Sequence, residues 1–219
     1  MNLRICACCL PIVLLIGIVS CRSKPRPPAA FSHYREPVAE VPAVRRVVLH
    51  VPENTTNYPQ AGHDFGAALA AELRAAGLFE VVTAPIDDAP AALATGHFQD
   101  AFLAESFRQY GADAVVFCGV RDYQPYWPPR VGATVHLVST HEAVTLASVD
   151  GLWDASDKSI ACQAYDFATT QVPQNELPHA EIVVRSPQYF NRFVARQIVA
   201  ALASSAASVI VTEPVGLPD

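Results

Sequence analysis

Lysine is nearly missing from this chain: Lys24 and Lys158 are the only two, and the 15 basic residues are outnumbered by 21 acidic ones, for a formal charge of -6. No basic stripe is available to neutralise phosphates, which excludes nucleic acid as a partner. Catalytic signatures are missing too. There is no GxSxG, no Walker A loop, no GxGxxG and no HExxH, so neither a hydrolase nor a nucleotide or metal enzyme has support in the sequence. Charged residues are scarce at 16%, against 51% hydrophobic over 219 residues. That composition sustains one domain with a buried core and rules out wholesale disorder. Long apolar runs are also lacking. The longest, from Ile5 to Val19, makes a helix of about 22 Å, short of the roughly 30 Å hydrocarbon core of a bilayer.

What is present begins with an address. Arg4 precedes the apolar run, and small Ser20 then stands before Cys21. Positive charge, short apolar stretch and small residue are the layout of a signal peptide, predicted here for residues 1–20. Ile18-Val19-Ser20-Cys21 resembles the lipobox of bacterial lipoproteins, whose cysteine receives the lipid. The resemblance implies a palmitate-type anchor on Cys21 and attachment to a membrane through that residue. One acyl chain binds reversibly, whereas two or three on one residue anchor stably. Arg22 is not the aspartate that such lipoproteins use for inner-membrane retention, so the expected location is the outer membrane, facing the periplasm.

Residues 21–43 carry Pro25, Pro27, Pro28, Pro37 and Pro42 with hardly any apolar periodicity, a composition that forbids helix and central strand. They are expected to be a tether between lipid and domain. Three of the six cysteines leave with the signal peptide and Cys21 takes lipid, leaving Cys118 and Cys162. The two remaining thiols either form a disulfide, as even numbers outside the cytoplasm often do, or stay free with Cys118 as a small buried hydrophobe in an apolar strand. Neither lies in a metal-ligand pattern.

The folded part is expected over residues 44–211, with a frayed tail at 212–219. Val44 to Val51 is valine-rich and stops at Pro52, which reads as a first strand. Phe65, Leu69 and Leu73 recur every fourth residue between Ala61 and Ala76, with Gly77 as a C-terminal stop; this is an amphipathic helix. Leu78 to Val82 follows as a strand, Phe98 to Tyr110 as a second helix before Gly111, and Ala112 to Val120 as the most apolar and hence central strand. Val131 to Ser139 and Val144 to Trp153 read as a hairpin, Lys158 to Ala168 as a helix, and Ser186-Pro187 as the start of a C-terminal helix. Val209-Ile210-Val211 adds a packed extension. The fold class is therefore α/β: a mixed sheet of about five strands in the order β-α-β-α-β-β-β, with helices packed on it and a C-terminal helix.

Three stretches carry a family resemblance. They are Val47 to Thr56, then Phe65…Leu69…Leu73…Gly77-Leu78-Phe79-Glu80-Val81-Val82, and Gly111-Ala112-Asp113-Ala114-Val115-Val116 with Gly119-Val120. Over about Val44 to Trp153 the chain resembles the α/β domain shared by CsgG-type curli secretion lipoproteins, LpoB-type activators of penicillin-binding proteins and the N-terminal domain of TolB. The resemblance implies an envelope protein that works through protein contacts, with no cofactor and no catalysis. His50 and Val51 depart from the family's pattern before Asn54. The alternative under the same resemblance is a subunit of an oligomeric secretion channel. Against it, no pair of ten-residue alternating hairpin strands, as a channel needs, is visible.

Candidate side chains are few. The segment Arg121 to Arg130 holds Tyr123, Tyr126 and Trp127 among three prolines that forbid regular pairing. Tyr, Trp and Arg dominate binding hot spots, so these rings are either a partner-binding surface or a cover folded back on the core. Asn54 either shapes its loop or binds a partner. His63-Asp64 and the His136…His141 pair lack ligand spacing, and Asp64 suits the first turn of a helix.

Overall fold

The computed structural model describes residues 31–35, 44–84, 98–171 and 185–207. Among these residues seven strands and four helices follow in the order β1 (Phe31–Arg35), β2 (Arg46–Leu49), β3 (Glu53–Asn54), α1 (Ala61–Ala76), β4 (Glu80–Thr83), α2 (Asp100–Tyr110), β5 (Ala114–Gln124), β6 (Arg130–Ser139), β7 (Thr145–Asp154), α3 (Lys158–Gln171) and α4 (Pro187–Ala207). The strands form one mixed sheet, β1-β7-β6-β5-β2-β4, with β3 added alongside β5. β4, β2 and β5 are parallel, while β5, β6, β7 and β1 are antiparallel.

β5 is central, and its side chains alternate between two apolar layers. Ala114, Val116, Cys118 and Val120 face the larger layer, where α1, α3 and α4 bring Phe65, Leu69, Leu73, Ile160, Phe190, Phe193 and Ile198. Val115 and Phe117 face a smaller layer that α2 closes with Leu103, joined by Phe98, Phe102 and Tyr110. Burial on both faces is why β5 reads as a nearly unbroken apolar run. Gly77 and Gly111 end α1 and α2 at φ 64° and 60°, the left-handed region where a Cβ is penalised. Asp113 ties the start of β5 to the start of β2: one carboxylate oxygen accepts the backbone N–H groups of Arg45 at 2.9 Å and Arg46 at 3.0 Å.

Three expectations need correction. First, residues 31–35 lie inside the stretch read as a tether, yet they pair with β7 as an edge strand, Phe31 opposite Gly151 and Arg35 opposite Ala147. Proline disfavours interior strands but leaves an edge open, and Phe31 to Arg35 contains none. Second, β5 does not end at Val120 but runs to Gln124, because the prolines sit only in the turn at 125–129. Third, β6 and β7 are ten residues each, and both are held in the central sheet between β5 and β1 with one face on the core. Cys118 and Cys162 are free thiols, the first buried and the second exposed, which settles the disulfide question, and burial pushes the Cys118 thiol well above its ordinary range. Cys21, the signal peptide, the C-terminal tail and Val209-Ile210-Val211 lie outside the described residues.

Candidate functional site

The aromatic segment splits at a β-bulge. Val120 pairs with Ala133 and Asp122 with Gly132, so Arg121 is one residue too many on β5. In unbroken alternation Val120 would face the core and Tyr123 the solvent. The extra residue reverses the phase, and Tyr123 lands opposite Val131 on the core side, 8% exposed. Its hydroxyl accepts a 3.1 Å hydrogen bond from Asn191 Nδ2 of α4, itself buried. Burial raises the Tyr123 phenol above its ordinary range while the Asn191 bond opposes the rise. Tyr123 is therefore a strut between sheet and α4, not a surface contact.

Tyr126 and Trp127 do stand on the surface, at 69% and 50% exposure. Tyr126 is edge-on to Tyr58, with centroids 6.5 Å apart, and Tyr58 in turn leans on Tyr123 at 5.9 Å. The guanidinium of Arg185, just before α4, lies 5.5 Å over the Trp127 ring, a cation–π contact. Thus the turn after β5, the approach to α1 and the approach to α4 supply one exposed aromatic and arginine cluster at one end of the sheet.

Asn54 lies beneath it and is occupied by its own loop. Its Nδ2 donates to the Tyr58 carbonyl at 2.7 Å and the Pro59 carbonyl at 3.3 Å, and its Oδ1 accepts from Thr56 N–H at 3.0 Å and Thr56 Oγ1 at 2.8 Å. These bonds shape the β3–α1 turn, as Asx geometry does, and set Tyr58 in place.

Beside the cluster runs an open groove of about 510 Å³ between α1 and α4, lined by Asp64, Ala68, Tyr123, Pro187, Asn191 and Arg192. Just past it, buried Glu72 of α1 takes Arg192 Nε at 3.0 Å and Arg196 at 3.5 Å from α4. The sequence reading missed Glu72, Arg185 and Asn191. A signal existed for the first: Glu72 lies three residues after Leu69 and seven after Phe65, on the buried stripe of α1.

The histidine groupings do not assemble a reaction centre. His63 Nδ1 lies 3.4 Å from its neighbour Asp64 with both side chains open to water. His141 approaches Asp113 at 3.9 Å, whereas His136 packs edge-on against Phe98 on the smaller layer. Burial lowers the His136 ring below its ordinary value, with Asp150 opposing. Among the described residues no three His, Cys, Asp or Glu side chains come together as a metal site, and no helix is long and apolar enough to cross a membrane.

Comparison with known proteins gives distant likenesses. No family model matches the chain and no curated protein matches it. Among solved structures, it is similar to a PelC dodecamer from Paraburkholderia phytofirmans, 20% identical, covering 60% of this chain and 89% of that one with a TM-score of 0.44. It is also similar to lipoprotein GNA1162 from Neisseria meningitidis, 18% identical over 78% of this chain and 100% of that one, TM-score 0.39. A third is a hypothetical protein of Chlamydia trachomatis, 12% identical over 75% of this chain and 99% of that one, TM-score 0.43. At such scores these likenesses carry nothing about the activity, ligands or assembly of this chain.

Proposed function

We propose that this chain is a lipid-anchored envelope lipoprotein that acts as a non-catalytic accessory module, through contacts made by the domain it carries. The observation that carries the reading is Ile18-Val19-Ser20-Cys21 directly after a signal-like apolar run. The domain behind it supports the same view. Its polar groups are used to hold elements together, as at Asp113, Asn54 and Glu72, while Tyr126 and Trp127 are large rings left in water beside an arginine. Aromatic and arginine side chains in that setting are binding anchors. The site residues are then Cys21 for lipidation and Tyr126 and Trp127 for contact, with Tyr123 and Asn54 supporting them from below.

Metabolic labelling with palmitate tests the anchor. The wild-type protein takes label and fractionates with membranes, and Cys21→Ala does neither while its fold is kept; label persisting in Cys21→Ala contradicts the reading. Crosslinking in cells tests the accessory role. Envelope protein or peptidoglycan is the expected capture, and a chain that captures neither counts against it.

A further inference from the structure

Where the chain enters the fold decides which end of the domain meets the membrane. β1 is antiparallel to β7, so its first residue, Phe31, sits near the last residues of β7, opposite Gly151 and 5.5 Å from the Trp153 ring. Trp153 and Asp154 pair with Val131 and Arg130 at the start of β6, which directly follows the Tyr126–Trp127 turn. The chain therefore arrives at the same end of the sheet as the exposed rings. β1 and β6 are two ladder steps apart, about 10 Å.

The direction of the preceding chain decides more than its length. Phe31 comes ten residues after Cys21, with Pro25, Pro27 and Pro28 between them, a stretch of about 31 Å if polyproline-like and at most about 35 Å drawn out straight. Through Gly151, Phe31 stands level with Ala133, about 10 Å from Arg130 at the entrance end and about 20 Å from Ser139 at the far end. β1 runs from Phe31 towards the far end, so the chain before it, and a lipid on Cys21, approach from the entrance end. The far end, with the turn at Thr140 to Ala143, meets the anchor only if the linker doubles back along the sheet.

We propose that the Tyr126–Trp127 end of the domain rests on the bilayer that holds the anchor, with both rings at the boundary between headgroups and acyl chains. This rests on the reading of Cys21 as lipidated, and it assigns Tyr126 and Trp127 to a lipid surface, which leaves contacts with envelope protein or peptidoglycan to the rest of the domain. The chemistry fits. Tyr and Trp rings prefer the membrane interface, where an apolar body and a polar tip are both satisfied, and the guanidinium of Arg185 beside Trp127 matches lipid phosphate.

The test uses the full lipidated protein in phosphatidylethanolamine and phosphatidylglycerol vesicles, with and without lipid brominated on its acyl chains. Trp153 is 1% exposed and Trp127 is 50% exposed, so Trp127 is the reporter and Trp127→Phe gives the Trp153 background. The expected result is that the Trp127 share of the emission falls by about half with brominated lipid, as for a ring at interface depth. Acrylamide should also quench it less than in the soluble Cys21→Ala protein. A labelled protein that floats with the vesicles, but whose Trp127 brominated lipid leaves unquenched, overturns the proposal alone. If that ring is open to acrylamide, the end faces water; if shielded from both quenchers, it is covered by protein. A protein without palmitate that stays behind when vesicles float overturns the anchor and the proposal together.

Discussion

Trp127 and Trp153 are the same residue type in two roles, and the difference is burial. Trp153 is 1% exposed and packs at a tilt against Phe31, whereas Trp127 is half exposed and touches Arg185. Trp153→Ala should cost about 3–5 kcal/mol, as large buried aromatics do. Trp127→Ala should cost about 1 kcal/mol or less, the worth of an exposed cation–π contact. Thermal melts compare them directly, and a large drop for Trp127→Ala would place that ring in the core. Asp113 gives the molecule a pH dependence. Burial works to raise its carboxyl, but the N–H groups of Arg46 and Arg45 together with the nearby charges of His141 and Arg45 outweigh it and hold the carboxyl below its ordinary value. A carboxylate lowered on folding stabilises at pH values above its unfolded pKa of about 3.9, and the contribution is lost as pH falls through the lowered folded value. Asp113→Ala should therefore lose about 1–2 kcal/mol at neutral pH, with the gap to wild type closing in acid. Urea unfolding as a function of pH measures it; a gap that is constant down to the acid limit would show that the charge contributes nothing.

Elements were legible where periodicity alone decides them. α1 runs from Ala61 to Ala76 and stops at Gly77, because a four-residue apolar spacing and a left-handed glycine leave little choice. The β6–β7 hairpin was legible from two strand-like runs joined by the short segment Thr140 to Ala143. What stayed hidden depends on a partner element. β1 has no apolar alternation of its own and exists because β7 offers an unpaired edge. The bulge at Arg121 is invisible because an inserted residue leaves the composition unchanged while it turns Tyr123 inward. Glu72 was hidden by its charge: acidic residues are rarely buried, and this one is buried because α4 brings Arg192 and Arg196 to it. Removing it leaves two arginines facing an apolar seam between α1 and α4. Glu72→Ala should cost about 2 kcal/mol, in the range of hydrogen bonds to a charged group, and circular dichroism melts with the Glu72→Gln control check it. A melting temperature unchanged by either substitution would show the pair to be ornamental.

At the scale of the whole molecule, topology brings the start of β1, ten residues after Cys21 in the sequence, to the end of the sheet that carries the aromatic turn. The α/β class and central β5 were readable from composition and pattern, and the site was readable only in part. Tyr126 and Trp127 stood out as rings among prolines, whereas Arg185 joins them only through the fold. The central claim is that this domain is held at a membrane by lipid on Cys21. Intact-mass measurement of the protein extracted from membranes tests that most directly. The account predicts a chain that begins at Cys21 and carries the added mass of two or three acyl chains. A chain of unmodified mass, or one cut at any other residue, would contradict it.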